Sequence, residues 1–458
     1  MQTGTGCGTE GDLASLRSLE DRSEVPVNAE LLLRIAHLSD AQLVDEESPG
    51  RQVGFQSVVA SAWRPHESFT LHLLDGVVRA VNRHHVSEGA IDLLVHTGDA
   101  VDNAQQNELT WFLAILDGQP VNPTSGIDTR PDADRPMPLE DPHLPFAPMG
   151  LYRHGIHGSA STIPWYGLLG NHDRFAQGLW PVISLPGDRL VAPLPLRIRF
   201  GLFTPRALDP ESAWSFAPVT PGQVGPPAVF LTARPVPQNG ARRFLRAGDF
   251  VAAHQDLGAW PRAEGVEDRD TMPSLEDSWY VVDATDRIRI IGLNTSDPDV
   301  LLPRSSYVDG AIGRRQAAFL EAELNRAMVD DVWVIVMTHH PSSTLQPAYG
   351  SAYSPKSFRA LLRSFSCVKI HLCGHLHVGM IFDQGGYFEM LAPSIIDPPH
   401  EGQVVELYRA GDQQAVIRYF RLGDDAARGP APEGEEQVFE DPFESLRDQA
   451  RERSAAWP

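Results

Sequence analysis

The sequence predicts an α/β fold in which a β-sheet is covered on both faces. Short apolar runs alternate with longer segments in which apolar residues recur at helical spacing. The apolar runs are almost uninterrupted, which is typical of strands buried under helices on both sides. Two long stretches, at 118–162 and 178–275, are rich in proline and glycine and break this alternation. A chain of 458 residues is long enough for one large α/β unit that carries insertions.

In the first half of the chain, two kinds of hydrophobic pattern alternate. Compact apolar runs such as LLLRIAHL at 31–38 predict buried strands. Between them, Leu71, Leu74, Val77 and Val81 recur at helical spacing. The pattern predicts strands at 31–38, 91–96 and 163–169, and helices at 69–85 and 105–116.

The second half is more regular. The segments 279–283 and 287–293 flank a tight turn and predict a hairpin. An amphipathic helix follows at 314–327, with Phe319, Leu320 and Leu324 on one side. The pattern continues with a strand at 332–338, a helix at 358–365, and strands at 368–372, 378–382, 387–391, 404–408 and 415–420.

These elements predict one catalytic unit at 31–425 with loose ends on both sides. Residues 1–30 are polar and predict a flexible N-terminal tail, and residues 426–458 predict a charged C-terminal tail. The stretch at 118–162 predicts a long loop or insertion. The stretch at 178–275 is too apolar for a linker, so we expect an insertion that packs against the catalytic unit and forms one wall of its pocket.

Composition limits the partners and the compartment. The net charge of -22 disfavours long nucleic acids and anionic membranes, although bound metal ions can attract an anionic substrate into one pocket. The three cysteines give no disulfide framework, which fits a reducing compartment. The chain shows neither an apolar run of signal-peptide length at its start nor a window of roughly 18 apolar residues that could span a membrane. We therefore expect a cytoplasmic protein.

Five short segments place a ligand-type residue directly after an apolar strand. In open α/β sheets, sites form beyond the ends of the strands. Asp, Asn and His side chains suit divalent transition metals. In an extended segment, residues i and i+2 point the same way, so two histidines at that spacing can face one centre. The segments are Ser39-Asp40-Ala41-Gln42, Gly98-Asp99, Gly170-Asn171-His172-Asp173, His339-His340-Pro341 and Gly374-His375-Leu376-His377.

Taken singly, each segment has an ordinary explanation. An Asp after a strand is commonly a turn former or a helix cap, and the Gly-Asn-His-Asp string is compatible with a turn. His339 and His340 could be a pair of core histidines, and His375 and His377 could be two exposed residues on one strand face. The five segments in this order are much harder to explain by chance.

The ordered set resembles the calcineurin-like metallophosphoesterases, whose motifs are Asp-x-His, Gly-Asp, Gly-Asn-His-Asp/Glu, His and Gly-His-x-His. Four motifs match fully, and the first matches partly because Gln42 stands where the family usually has histidine. The similarity runs from about residue 31 to 420 and is interrupted by the two insertions. A closer similarity, in the segments 37–42, 99–105 and 394–397, is to a bacterial subgroup of these proteins common in actinobacteria.

The resemblance implies a fold and a set of roles. The fold would be a four-layer αββα sandwich of two mixed sheets with helices outside and a large insertion. Asp99 would bridge two metal ions, and His172 would contact the phosphate or protonate the leaving group while Asp173 orients it. The first ion would be held by Asp40, Gln42 and His377, and the second by Asn171, His339 and His375.

The implied activity is hydrolysis of a small phosphodiester or phosphomonoester by a metal-bound hydroxide. Two divalent ions would be present, with Mn²⁺ as the first expectation and Fe, Zn or Mg as alternatives. An amide oxygen at Gln42 is a weaker ligand than imidazole, so the first ion would bind less tightly, or the amide would instead position a water molecule. A single-metal phosphoesterase and a catalytically weak scaffold of the same fold remain alternatives.

One further group of residues has two interpretations. Arg242, Arg243 and Arg246 could hold the oxygens of the substrate phosphate, because guanidinium groups bind phosphate well. A solvated helix face is the plainer interpretation of the same three residues.

Overall fold

The computed structural model contains two six-stranded mixed β-sheets with helices on their outer faces. The predicted strands and helices from residue 31 to 423 are present, with ends that differ by a few residues. The structure describes residues 16–19, 25–48, 64–125, 141–152, 163–181, 196–201, 230–235, 239–261, 278–296, 308–346, 350–411, 414–423 and 443–455.

The first sheet has the strand order β1-β16-β15-β2-β3-β4. Strands β2, β3 and β4 run parallel, whereas β15 is antiparallel to both β2 and β16. Helices α1, Thr70–Ser87, and α2, Gln106–Asp117, lie between its strands in the chain. The strands are β1 Leu16–Leu19, β2 Glu30–Leu38, β3 Leu93–His96, β4 Trp165–Gly167, β15 Glu401–Ala410 and β16 Gln414–Gly423.

The second sheet has the order β13-β14-β12-β11-β10-β9. Its central strands β10, β11, β12 and β14 are parallel, and the hairpin strands β9 and β13 are antiparallel at the two edges. The strands are β9 Tyr280–Thr285, β10 Ile288–Gly292, β11 Trp333–Met337, β12 Val368–Cys373, β13 Met380–Asp383 and β14 Phe388–Leu391.

The two sheets share one buried apolar core. Alternate residues of a strand point to opposite faces, so each strand of the second sheet serves two layers. Ile335 and Met337 of β11 join the cluster that contains Leu33 and Ile35 of β2. Val334 and Val336 instead pack on the outer side, in a cluster with residues of α5, Arg314–Asp330, and α6, Pro355–Ser364. The predicted α/β sandwich of two mixed sheets flanked by helices is therefore confirmed.

Shorter elements lie in or next to the two stretches that break the alternation. The described parts of 118–152 carry one bridge, between Val121 and Phe146, and the residues 126–140 of that stretch lie outside the described part of the chain. The other elements are α3 Asn171–Arg174, β5 Phe175–Ala176, β6 Trp180–Pro181, β7 Leu196–Gly201, β8 Phe230–Pro235 and α4 Ala247–Asp256.

Both predicted tails contain regular elements. Strand β1 lies within residues 1–30 and pairs in parallel with β16. Within 426–458, helix α7, Glu444–Ala455, buries Leu446 and Ala450. Leu446 and Ala450 are four residues apart in a strongly charged segment. Two apolar positions are too few to predict an amphipathic helix from the sequence. No helix in the ranges given above is long and apolar enough to cross a membrane.

Several core histidines are held neutral by burial, which makes stability depend on pH. His254 donates from Nδ1 to the Phe250 carbonyl oxygen at 2.8 Å, and His72 stacks on Phe146. Burial lowers the pKa of each of these two rings to about 4. Below the ordinary pKa of about 6.5, the unfolded chain binds protons that the folded chain does not.

We therefore predict that the free energy of unfolding falls as the pH drops from 6.5 toward 4. At pH 5, each of the two histidines should cost about 2 kcal/mol relative to pH 7. Urea unfolding at pH 7 and pH 5 should show a smaller pH-dependent loss in His254→Leu than in the wild type. Equal losses in the two proteins would show that His254 takes up a proton in the folded state.

Candidate metal centre

The ligand-type residues meet where the parallel strands of both sheets end. The segments after β2 and β3 are tied together, since Asp40 N donates to Gly98 O at 3.0 Å. The segments after β11 and β12 are also joined by a backbone hydrogen bond, since Gly374 N donates to His339 O at 2.9 Å. Several side chains here sit on backbone with positive φ, a conformation that non-glycine residues rarely adopt and that often marks a functional site. They are Asp40, Gln42, Asp99, His375 and His377.

The Asp99 carboxylate lies at the centre of the cluster. Its Oδ1 accepts a hydrogen bond from the His172 backbone N–H at 2.8 Å. Its Oδ2 lies 3.2 Å from His339 Nε2 on one side and accepts from Gln42 Nε2 at 3.2 Å on the other. One oxygen atom therefore faces both groups of predicted ligands, which is the position the resemblance implied for a bridging carboxylate.

His339, rather than His340, points into the cluster. His339 Nδ1 donates to the Thr97 carbonyl oxygen at 2.9 Å, which leaves Nε2 to face Asn171 Oδ1 at 3.0 Å. Both ring nitrogens of His340 are already engaged, with Thr295 Oγ1 at 2.7 Å and Val308 O at 2.8 Å. The geometry therefore favours His339 as the ligand.

The electrostatics around His339 favour a cation. Burial lowers the pKa of its ring, but the charge and hydrogen bond of Asp99 outweigh that effect and raise the pKa to about 9. Oxygen atoms of Asp99 and Asn171 thus create a negative potential at Nε2. A divalent ion bound between these atoms would take the place of the proton.

The donor set fits a divalent metal ion. Ligand atoms of Asp40, Asp99 and His339 lie within 4.8 Å of one another, as do those of His339, His340 and His375. Two ligands of one ion are expected about 3.0–3.5 Å apart when each bond is about 2.1 Å long. Asp40 Oδ1 is buried, and the polar atom beside it is His377 Nε2 at 3.2 Å. Mixed carboxylate, amide and imidazole ligands suit Mn, Fe or Zn.

The first-ion position is built differently from the second. His377 Nε2 lies 3.2 Å from Asp40 Oδ1, and its Nδ1 bonds to Asp397 Oδ2. The Gln42 amide nitrogen lies 3.2 Å from His377 Nε2. The Gln42 carbonyl oxygen accepts from Arg64 Nη2 at 3.0 Å, so it faces away from the cluster. In this structure the amide nitrogen of Gln42, and not the oxygen that was expected to bind metal, faces the cluster.

His172 is held by Asp102 instead of Asp173. Its Nδ1 donates to the Asp102 backbone carbonyl oxygen at 3.1 Å and also lies 3.1 Å from Asp102 Oδ1, and its Nε2 lies 4.0 Å from Asp99 Oδ2. Burial lowers the pKa of His172, but Asp99 and Asp102 outweigh it, and the pKa is raised above its ordinary value. Asp173 has another partner set: its carboxylate accepts from the backbone N–H groups of Asp99 and Gly170, each at 2.8 Å, and of Val101 at 3.1 Å. The expected partner of His172 was Asp173, whereas in this structure Asp102 lies against the ring.

Sequence reasoning missed three charged residues at the site: Arg64, Asp102 and Asp397. Asp102 and Asp397 fall in the segments that resemble the bacterial subgroup, so a signal for them was available. Arg64 lies after the irregular segment that precedes α1, and nothing in the pattern around it distinguished it from other loop arginines.

The three arginines of the large insertion lie elsewhere. Arg242 is buried and donates from Nε to Ser125 Oγ at 2.8 Å and to Asp45 Oδ2 at 3.2 Å. Arg243 pairs with Asp249, and Arg246 directly precedes α4. A solvated helix face therefore does not describe Arg242, and its guanidinium is committed to a buried carboxylate.

Comparison with known proteins gives one family match. Residues 33–196 match the family model described as calcineurin-like phosphoesterase. This segment contains Asp40, Asp99, Asn171, His172 and Asp173. A search of curated proteins returned no significant match. The family match supports a phosphoesterase that binds metal.

Solved structures with a similar fold include two that align over most of this chain. One is a dimetal phosphatase from Danio rerio, with 12% identity and a TM-score of 0.44 over 86% of this chain and 99% of that chain. Another is GAP50, the anchor in the inner membrane complex of Plasmodium, with 11% identity and a TM-score of 0.33 over 94% of this chain and 96% of that one. These TM-scores are too low for the structural similarity to support a conclusion about function.

The metal centre leaves no room for a side chain at Gly178. A Cβ atom there would lie 2.3 Å from Asn171 Nδ2 and 2.4 Å from His172 Cδ2. Gly258 has a similar positive φ of 72°, but an added Cβ atom would meet nothing within 4 Å. The two glycines therefore form a matched pair, because an alanine is strained equally at both and crowds the site only at Gly178.

We predict that Gly178→Ala weakens Mn²⁺ binding about tenfold or more, while Gly258→Ala leaves it unchanged. Each variant should lose about 1 kcal/mol of stability from backbone strain alone. Isothermal titration with Mn²⁺, beside thermal unfolding without metal, separates the two effects. Wild-type affinity in Gly178→Ala would show that Asn171 is not a ligand or moves freely.

Proposed function

We propose that this protein is a metal-dependent hydrolase of a small phosphodiester or phosphomonoester. The observation that carries the proposal is the convergence of Asp99 Oδ2, Asn171 Oδ1 and His339 Nε2, each within 3.2 Å of another member of the group. His172 stands beside them, and the family match covers three of these four residues. A carboxylate, an amide oxygen and an imidazole that are buried together need a positive charge between them, which a bound cation or a ring proton supplies.

The chain's own residues would hold the cation and manage the leaving group. Asp99, Asn171, His339 and His375 are the residues that would bind it. When bound, a divalent ion polarises a phosphoryl oxygen and lowers the pKa of a coordinated water. The His172 ring would donate a proton from Nε2 to the leaving oxygen, because its Nδ1 is committed to Asp102. Asp102 therefore fixes the ring orientation through its backbone carbonyl oxygen, with its carboxylate beside the same nitrogen.

The substrate that we propose is a small phosphorylated molecule. A net charge of -22 repels long nucleic acids and anionic membrane surfaces. The insertion at 178–275 begins against the site, since Asn171 Nδ2 donates to Gly178 O at 3.3 Å. This contact supports the expectation that the insertion forms one wall of the pocket. A wall at this place would limit the size of the substrate.

We further propose Mn²⁺ as the working metal and the cytoplasm as the compartment. Oxygen ligands from Asp99 and Asn171 beside imidazoles suit Mn²⁺ as well as Fe or Zn. Cys367 and Cys373 are buried free thiols, which supports a reducing compartment.

The first test is hydrolysis of bis-p-nitrophenyl phosphate and p-nitrophenyl phosphate with and without added Mn²⁺. We expect turnover of at least one of them, its loss in chelator and its return when Mn²⁺ is restored. Asp99→Asn is the control, because it keeps the shape and removes the charge that holds the cation, and its rate should fall at least about 10²-fold. Chelator-resistant turnover equal in both proteins would contradict the proposal.

The second test concerns the leaving group. His172→Ala should keep its Mn²⁺ content and lose roughly 10²–10⁴-fold in rate on an alkyl phosphoester, whose leaving oxygen needs a proton. The loss on a p-nitrophenyl ester should be much smaller, because that leaving group is stable as an anion. Equal losses on both substrates would instead assign His172 to phosphate binding.

A further inference from the structure

The first-ion position carries an arrangement that the metallophosphoesterase motif does not contain. Arg64 is buried, with 1% of its side chain exposed, and lies behind Gln42. Its Nε donates to Asp397 Oδ1 at 2.6 Å and its Nη2 to Asp397 Oδ2 at 3.2 Å. The same Nη2 donates to Gln42 Oε1 at 3.0 Å. The guanidinium is therefore fixed by a two-point ion pair while it holds the Gln42 amide.

The contact with Arg64 decides which end of the Gln42 amide faces the cluster. A guanidinium carries only donors, so the atom of Gln42 that faces it must be the carbonyl oxygen. The NH₂ group then points inward, where it lies 3.2 Å from both Asp99 Oδ2 and His377 Nε2. An amide NH₂ has no lone pair to offer a metal, and its positive hydrogens repel a cation.

The Gln42 amide nitrogen lies among the other residues of this position. It is 3.2 Å from Asp99 Oδ2 and 3.2 Å from His377 Nε2. His377 Nε2 is in turn 3.2 Å from Asp40 Oδ1. The Gln42 NH₂ lies between Asp99 and His377. The position is thus occupied by a hydrogen-bond donor where a two-metal site would need an acceptor.

We propose that this protein binds one divalent cation per chain, at the Asp99–Asn171–His339–His375 position, and that the Arg64-held amide of Gln42 takes the place of the second. Gln42 N–H donates to the Asp99 oxygen that would otherwise bridge two ions. Arg64 acts through Gln42, whose amide oxygen it holds, so it is a positioning residue. The inference rests on the proposed metal-dependent function but makes a separate claim about the number of ions.

The isosteric change Gln42→Glu tests the claim directly. A glutamate keeps one oxygen on Arg64 and replaces the inward NH₂ by a second oxygen, which is a good Mn²⁺ ligand. Gln42→Ala is the matched control, because it removes the donor without adding a ligand. The probe is Mn²⁺ alone, measured as bound metal per chain after equilibrium dialysis and by electron paramagnetic resonance.

We expect one Mn²⁺ per chain in the wild type and in Gln42→Ala, with the spectrum of an isolated ion. Gln42→Glu should bind two, with the spectrum of an exchange-coupled pair. Two coupled ions in the wild type, or one ion in a folded Gln42→Glu, would overturn the inference and leave the proposed function standing. No bound Mn²⁺ in the wild type would overturn both. Circular dichroism of each variant establishes that it is folded.

Discussion

The buried carboxylate of Asp173 joins two of the five loops on which the site is built, those that carry Asp99 and Asn171. It accepts hydrogen bonds from backbone N–H groups of Asp99 and Val101 in the loop after β3, and of Gly170 in the loop after β4. Three donors on one carboxylate offset part of the cost of its burial, although burial and the charge of Asp99 still raise the pKa of Asp173 to about 7. Asp99 in turn accepts from the His172 backbone N–H. The two acidic residues thus fix the position of each loop relative to the other.

The sheets explain why five separate segments can meet at all. Parallel strands end at the same edge, and both sheets present that edge to the same side of the shared core. The segments then turn sharply. Asp99 follows Gly98, whose φ is 101°, and a Cβ atom on Gly98 would lie 2.8 Å from His339 Nδ1. The loops at the strand ends can therefore pack closely because Gly98 has no side chain. Asp40, Asp99 and His375 contribute by adopting strained backbone with positive φ.

A second hydrogen-bond network surrounds the first-ion position. It joins charged side chains to one another, whereas Asp173 binds backbone N–H groups. Asp397 holds both the Arg64 guanidinium and His377 Nδ1. Arg64 and Asp397 are 333 residues apart in the chain. Opposite charges offset each other here, whereas around His339 the oxygens of Asp99 and Asn171 leave a negative potential. The two halves of the site are therefore electrostatically unequal, which is why we expect them to treat a cation differently.

The sequence by itself determined most strands of the two sheets, most helices, and the ligand-type residues at the strand ends, because hydrophobic period and residue chemistry are local properties. The family resemblance implied His339 as a ligand. Only the tertiary structure decided which groups these residues contact by hydrogen bonds and packing. Asp102 orients His172, Asp173 binds backbone instead, Arg64 turns the Gln42 amide inward, and α7 packs within a segment that resembles a tail. Each of these depends on hydrogen bonds or contacts between segments far apart in the chain, and no local pattern specifies where a buried donor finds its acceptor.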